Sequence, residues 1–373
     1  MSEAAVSSKR DRRSRPLALL MLVLAGVVAL GIPAVASAFW LQTGLFTMAA
    51  AVGAIGLTLL IGVAGQLSLG HAFFVAVGAY AYSYLAGEAT SFGVGGGAGL
   101  GWPPLVAMVG GTAIAGLAGT IFSPIAGRLR GIYLGIATLG LVFIGQHLLK
   151  NVKPLAPVSG GFNGRAVAEL EILGFQFNSL HRLWYFGLLV LVVAYWYANN
   201  LKRSRPGRTM EAVRDSEIVA GVMGVRVGMA KAKAFTASSV FAGLAGAILA
   251  LTFRHIVPEA FGFLYSLDFL AMVVIGGLGS AGGAVLGAAF VTVLPLALNQ
   301  YADAIPLIAP IGSGGFDAAT AARVLYGVAV VLALMYLPDG LAGLRRHRRN
   351  RPTDESERGD QTLGQRAKAG YPG

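Results

Sequence analysis

The sequence contains no cysteine and has few charged residues. Of its 373 residues only 12% are Asp, Glu, Lys or Arg, whereas a soluble domain carries about a quarter. Disulfides, thiolate chemistry and cysteine-ligated metal sites are therefore excluded. What is present instead is 55% hydrophobic residues and 53 glycines, which suits close helix packing in lipid. The composition indicates an all-α, polytopic membrane protein.

Acidic residues are scarcer than basic ones, 17 against 29, and the net charge is +12. The basic residues gather in short stretches outside the apolar runs, at 9–15, 128–130, 202–205 and 345–349. Such clusters mark the cytoplasmic ends of membrane spans. The charge therefore indicates contact with anionic membrane lipid and not with nucleic acid.

A membrane-spanning helix needs about 20 mostly apolar residues. Ten candidate spans lie at 17–39, 44–64, 66–87, 103–126, 131–149, 183–201, 233–253, 264–278, 281–298 and 321–338. Counting 264–298 as two helices, joined at a glycine-rich turn, places every basic cluster and both termini on the cytoplasmic side. The fold prediction is a transmembrane helical bundle of about ten helices.

The predicted permease domain covers residues 17–340, between a basic N-terminal tail at 1–16 and a basic, disordered tail at 341–373. Both tails are expected to be cytoplasmic. Ala36-Ser37-Ala38 resembles a signal-peptidase site. The apolar run before it is long enough to span a membrane, so we expect an uncleaved first helix, with cleavage as the minority alternative.

A polar segment at 203–221 interrupts two of the apolar runs, and it predicts a cytoplasmic helix at about 207–224. Pro206 and Gly207 favour its start, and Gly221 favours its end. At helical spacing, one face holds Glu211, Arg214, Asp215 and Ile218, and the opposite apolar face holds Ala212, Val213, Val219, Ala220 and Met223. This pattern fits a helix that lies on lipid headgroups and equally one that docks into a groove of another protein.

Polar residues inside the predicted spans are candidates for a translocation pathway. Asp268 is the only carboxylate there, although a hydrated position near the helix end is the favoured interpretation. Gln66, Ser68 and His71 surround a break between two spans, where they could line the pathway or satisfy freed backbone groups. Gly276, Gly277 and Gly279 predict close packing or, alternatively, a hinge. No second metal ligand lies at suitable spacing from His71, so no metal site is predicted.

Several blocks between 45 and 300 resemble, in order, the permease subunits of branched-chain amino acid ABC importers. The strongest block is Gly207-Arg208-x-x-Glu211-Ala212-x-Arg214-Asp215 followed by Ala220-Gly221-Val222-x-Gly224-Val225. Other blocks are Gly65-Gln66-Leu67-Ser68-Leu69-Gly70-His71, Ser159-Gly160-Gly161-Phe162-Asn163-Gly164 and Ile275-Gly276-Gly277-Leu278-Gly279-Ser280. One departure is Val213, where importer permeases often carry a second alanine after Glu-Ala.

The resemblance implies a non-catalytic subunit of a prokaryotic inner membrane. It would pair with a homologous permease subunit, two cytoplasmic ATP-binding subunits and an extracytoplasmic substrate-binding protein. Coupling to the ATPase would fall to Arg208, Glu211, Ala212, Arg214, Asp215 and Gly221. No cofactor is expected, and no phosphate-binding loop of the Gly-x-x-x-x-Gly-Lys-Ser/Thr type is present, so ATP hydrolysis would belong to the partners.

The substrate implied is leucine, isoleucine or valine, with urea or short amides as the alternative. An ion-coupled secondary transporter is a further alternative, but Asp268 alone gives it little support, since that class tends to use several intramembrane carboxylates or broken helices. A membrane hydrolase using Ser68 or Ser280 with His71 lacks an orienting third residue.

Overall fold

The computed structural model describes residues 26, 29–87, 99–152, 156–172, 175–301 and helical residues at 324–328, 330–332, 335, 340 and 341. The predicted N-terminal tail, residues 17–25, 27 and 28 of the first span, and residues 342–373 lie outside these ranges. The last predicted span, 321–338, is covered only in part.

The described residues are mostly helical, which confirms the all-α prediction. The principal helices are α1 Ala38–Thr58, α2 His71–Ala86, α3 Pro104–Arg128, α4 Ile132–Asn151, α5 Leu180–Arg203, α6 Arg205–Asp215, α7 Glu217–Val222, α8 Val227–Phe253, α9 Phe263–Gly276 and α10 Ala281–Gln300. Further helical residues lie at 29–35 and at Ala156–Ser159. Four two-residue strands form two antiparallel pairs, β1 Arg165–Ala166 with β4 His255–Ile256 and β2 Glu171–Ile172 with β3 Phe175–Gln176.

Six of the described helices are long and apolar enough to cross a membrane: α1 with its extension to Val63, α3, α4, α5, α8 and α10. The predicted span at 66–87 is shorter in the structure, because α2 begins only at His71. The region 264–298 forms two helices, as predicted, and Gly277 and Gly279 join them with φ angles of 101° and 79° that favour glycine. The total of ten helices and the cytoplasmic termini stay predictions.

Helices α1, α2 and α8 form the buried centre of the bundle, and small residues let them approach closely. A β-carbon on Gly246 of α8 would lie 2.0 Å from the carbonyl oxygen of Val75 on α2. A β-carbon on Gly78 would likewise lie 2.4 Å from Gly243 Cα. Packing of this kind replaces the hydrophobic driving force that is missing between helices in lipid. Helix α3 packs on α2 and α8, and α10 packs on α1 and α9.

The end of α1 widens into a π-helix at Leu59–Val63, after which the chain is non-helical until α2 begins at His71. Such turns are rare and concentrate at functional sites. Residues 64–70 are non-helical, which confirms the predicted break around Gln66 and Ser68. An irregular segment at 59–70 therefore lies at the centre of the bundle.

The polar interruption forms two helices, α6 and α7, where a single helix at 207–224 was predicted. Ser204 caps α6 by accepting a hydrogen bond from the Gly207 amide. Ser216 adopts an extended conformation, with φ −161° and ψ 114°, and caps α7 by accepting from the Val219 amide. A serine in this conformation ends one helix and begins the next, so the single-helix prediction was wrong.

Candidate docking surface and translocation pathway

Helices α6 and α7 carry a groove and a cluster of exposed apolar side chains, which together are called the α6–α7 surface. Ile218, Val222 and Met223 are 78%, 85% and 79% exposed. The adjoining groove has a volume of about 620 Å³ and is lined by residues that include Arg205, Arg208, Ala212, Asp215, Val219 and Met223. Large apolar side chains at such exposure, beside charged ones, are typical of a protein-binding surface.

The break at Ser216 changes which residues face outward. Val213 and Ala220, from the predicted apolar stripe, pack inward against Ala230. Val219 and Met223 from the same stripe are exposed, as is Ile218 from the predicted polar face. The two predicted faces of one amphipathic helix are therefore not found.

The six residues predicted to couple to an ATPase do not form one cluster. Arg208, Ala212 and Asp215 line the groove. Gly221 is exposed, with no atom within 4 Å of where a β-carbon would lie. Arg214 instead turns toward the bundle, where its Nη1 donates to the Gly62 carbonyl oxygen at 2.6 Å. Its guanidinium also pairs with Asp215 at 2.9 Å.

A buried ion pair that the sequence analysis missed holds α7 to the bundle. Glu217, at the start of α7, contacts Lys231 Nζ of α8 at 2.7 Å and Arg130 Nη2 at 3.1 Å. The Lys231 side chain is only 5% exposed. A lysine among the small apolar residues of α8 was the signal for this pair, because a buried cation needs a partner. The partner itself could not be read from the sequence.

Three of the four polar residues of the predicted pathway, Gln66, Ser68 and His71, lie at the break, and two of them form hydrogen bonds with the backbone. The buried His71 ring places Nε2 2.9 Å from the Gly53 carbonyl oxygen and packs edge-on against Phe269. Ser68 Oγ accepts from the Gly70 amide at 3.4 Å. Gln66 is 3% exposed, and neither atom of its side-chain amide has a hydrogen-bond partner among the described residues.

The glycines of the predicted pathway pack tightly against neighbouring backbone. A β-carbon on Gly62 would lie 2.1 Å from the Gly279 amide nitrogen, and one on Gly276 would lie 2.2 Å from the Gly283 carbonyl oxygen. Asp268 lies apart from this contact on α9, and its carboxylate accepts a hydrogen bond from the Tyr326 hydroxyl at 3.2 Å. Close packing, the first of the two predicted roles, is therefore the observed geometry at these glycines.

The turn at 159–164 lies beside the β1–β4 pair and presents Phe162 to solvent. Gly160, Gly161 and Gly164 all have positive φ angles, which the turn requires. The next residue, Arg165, is buried and donates from Nε to the Ser83 carbonyl oxygen at 3.2 Å. Burial lowers the pKa of Arg165. A buried arginine thus fixes this turn to the end of α2.

Comparison with known proteins gives one family across most of the chain. The family described as "Branched-chain amino acid transport system / permease component" matches residues 39–337. The high-affinity branched-chain amino acid transport system permease protein LivM of Escherichia coli K12 is 29% identical over 354 residues, covering 88% of this chain and 75% of that protein. No solved structure matches the chain.

Two more distant relatives widen the comparison. A probable branched-chain amino acid transport permease protein LivM of Methanocaldococcus jannaschii is 27% identical over 60% of this chain and 63% of that protein. The ribose import permease protein RbsC of E. coli K12 is 28% identical over 62% of this chain and 67% of that protein. With the family match over residues 39–337, the chain belongs to the permease components of branched-chain amino acid transport systems.

Proposed function

We propose that this chain is one membrane-spanning half of an ATP-driven importer in a prokaryotic inner membrane, and that it translocates leucine, isoleucine or valine. The substrate assignment rests on the names of the LivM relatives. The chain itself is non-catalytic in this proposal. A homologous permease subunit, two ATP-binding subunits and an extracytoplasmic binding protein complete the transporter.

The observation that carries the proposal is the α6–α7 surface, set between two membrane-length helices. Its exposed side chains, Ile218, Val222 and Met223, stand beside a groove rimmed by Arg205 and Arg208. An ATP-binding subunit that buries this cluster would remove apolar area from water, worth about 25 cal/mol per Å². The basic residues at 202–205 support a cytoplasmic position for this surface.

An aspartate in place of Val222 tests the docking step. We expect Val222→Asp to leave membrane insertion intact but to abolish copurification of the ATP-binding subunits, because docking would then desolvate a charge. Arg203→Ala is the control, since Arg203 is an exposed residue at the end of α5 outside the groove. Normal copurification with Val222→Asp would contradict the docking assignment.

Uptake measurements test the substrate. Cells without the gene should lose uptake of radiolabelled leucine and regain it when the gene is restored. Ribose is the second candidate substrate, because the ribose permease relatives match 62% of this chain, and urea is the third. Loss of ribose or urea uptake with normal leucine uptake would keep the mechanism and replace the substrate.

A further inference from the structure

Arg214 joins the α6–α7 surface to the irregular end of α1. Its Nη1 donates to the Gly62 carbonyl oxygen at 2.6 Å, inside the π-helix. Its aliphatic stem packs on Gly65, where a β-carbon would lie 2.7 Å from Arg214 Cγ. Gly65 has a φ angle of +67°, so glycine both permits the turn and makes room for the arginine.

A second cation from the same region holds the neighbouring glycine turn. Lys202, in the last turn of α5, donates from Nζ to the Gly279 carbonyl oxygen at 2.6 Å. Gly279 in turn packs directly on Gly62. Two cations, one in the last turn of α5 and one in the last turn of α6, therefore donate to two backbone segments that touch each other inside the bundle.

Both contacts give a charged donor to a backbone carbonyl oxygen that lies where regular helical hydrogen bonding ends. Hydrogen bonds with an ionised donor are shorter and roughly twice as strong as neutral ones. The chain just beyond, at 64–70, contains the buried Gln66, whose amide has no partner among the described residues. Leaving a buried polar group without a hydrogen bond is unfavourable, so the segment that Arg214 holds can gain hydrogen bonds by rearranging.

We propose that Arg214 is a positioning residue that transmits movement of α6 to the π-helical end of α1 and the break at 64–70. This inference rests on the proposed function, in which a docked ATP-binding subunit moves α6. The Arg214–Asp215 ion pair, formed between exposed neighbours, does not require the contact with Gly62. The Arg214 guanidinium contacts the Gly62 carbonyl oxygen next to the break. Arg208, Ala212 and Asp215, in contrast, line the groove.

The test uses the complete importer, reconstituted in vesicles with its ATP-binding subunits and binding protein. Arg214→Ala should keep the ATP-binding subunits bound but lower uptake per ATP hydrolysed by about ten-fold or more, the factor expected from one lost charge-assisted hydrogen bond. Arg214→Lys, which still donates one hydrogen bond to Gly62, should recover much of the uptake. Arg203→Ala should stay within about two-fold of wild type, because an exposed side chain contributes little.

Hydrogen exchange gives a readout that a purely docking role would not change. In the wild-type importer, ATP should alter amide exchange in peptides covering 59–66, and Arg214→Ala should abolish that response while peptides from 38–55 behave as in wild type. Loss of ATP-subunit binding in Arg214→Ala would overturn the inference, because Arg214 would then be a docking contact. Unchanged coupling and exchange would also overturn it. A wild-type complex that hydrolyses ATP without taking up any tested solute would instead refute the proposed function, and the ATP response at 59–66 would still report on Arg214.

Discussion

Replacing Glu217 by glutamine should destabilise the protein, whereas replacing its buried partner Lys231 by methionine should not. The two residues form an ion pair at 2.7 Å, but their surroundings differ. The Lys231 side chain is 5% exposed and that of Glu217 is 26% exposed. Glu217 also contacts Arg130, whose side chain is 74% exposed, at 3.1 Å. Replacing Glu217 therefore leaves a buried lysine without its partner, whereas replacing Lys231 leaves a partly exposed glutamate that still contacts Arg130.

The expected magnitudes follow from which charge remains. Breaking a buried ion pair costs about 3–5 kcal/mol when it leaves a buried charge unpaired. In Glu217→Gln the amide oxygen can still accept one hydrogen bond from Lys231, so we expect a loss of about 2 kcal/mol. In Lys231→Met the carboxylate keeps Arg130, water and the N-terminus of α7, and we expect a change below about 1 kcal/mol.

The assay is reversible unfolding in mixed detergent micelles, with the free energy of unfolding compared across the single and double variants. The double variant Glu217→Gln with Lys231→Met should be more stable than Glu217→Gln alone, because the unpaired cation is gone. Amide exchange at 217–231 would locate the effect at α7 and the start of α8. If Lys231→Met costs as much as Glu217→Gln, the desolvation argument is refuted.

Two further outcomes follow from the packing and the charges. Gly246→Ala should destabilise the bundle by about 1–3 kcal/mol, because its new methyl group would overlap backbone of the neighbouring helix. Gly140→Ala is its control: no atom lies within 4 Å of that position, so removing a helical glycine should stabilise by about 0.5–1 kcal/mol. The hydrogen bond from Lys150 holds the pKa of Glu259 below its ordinary value of 4.5. The Lys150–Glu259 pair should therefore contribute fully to stability above about pH 4.5, and its contribution should disappear as the pH falls through the lowered pKa. The free energies of unfolding of wild type and Glu259→Gln should accordingly converge at low pH.

The positions of the helices could be predicted from the sequence because apolar run length is fixed by membrane thickness. The two helices within 264–298 followed from counting basic clusters, and the break near Gln66 followed from its flanking glycines. Each of these features depends on local composition. The start of α2 at His71 was less accessible, because a run of apolar residues does not mark where a helix begins.

The arrangement of the α6–α7 surface depended on contacts distant in sequence. The serine at 216 is a capping signal visible in the sequence, and the prediction of a single helix at 207–224 left it out of account. The direction of Arg214 could not have been predicted in the same way, since its acceptor lies 152 positions away in a π-helix. The pairing of Glu217 with Lys231 likewise needs the fold to bring α7 and α8 together.

The four polar residues of the predicted pathway differ in the hydrogen bonds they have left to offer a substrate. His71 Nε2 is hydrogen-bonded to the Gly53 carbonyl oxygen, and Ser68 Oγ accepts a hydrogen bond from the Gly70 amide. Asp268 already accepts from Tyr326. Among these four residues, only Gln66 has a side chain with no hydrogen-bond partner within the described residues. Because Gln66 follows directly on Gly65, which packs on Arg214, a rearrangement that begins at α6 would reach this amide first.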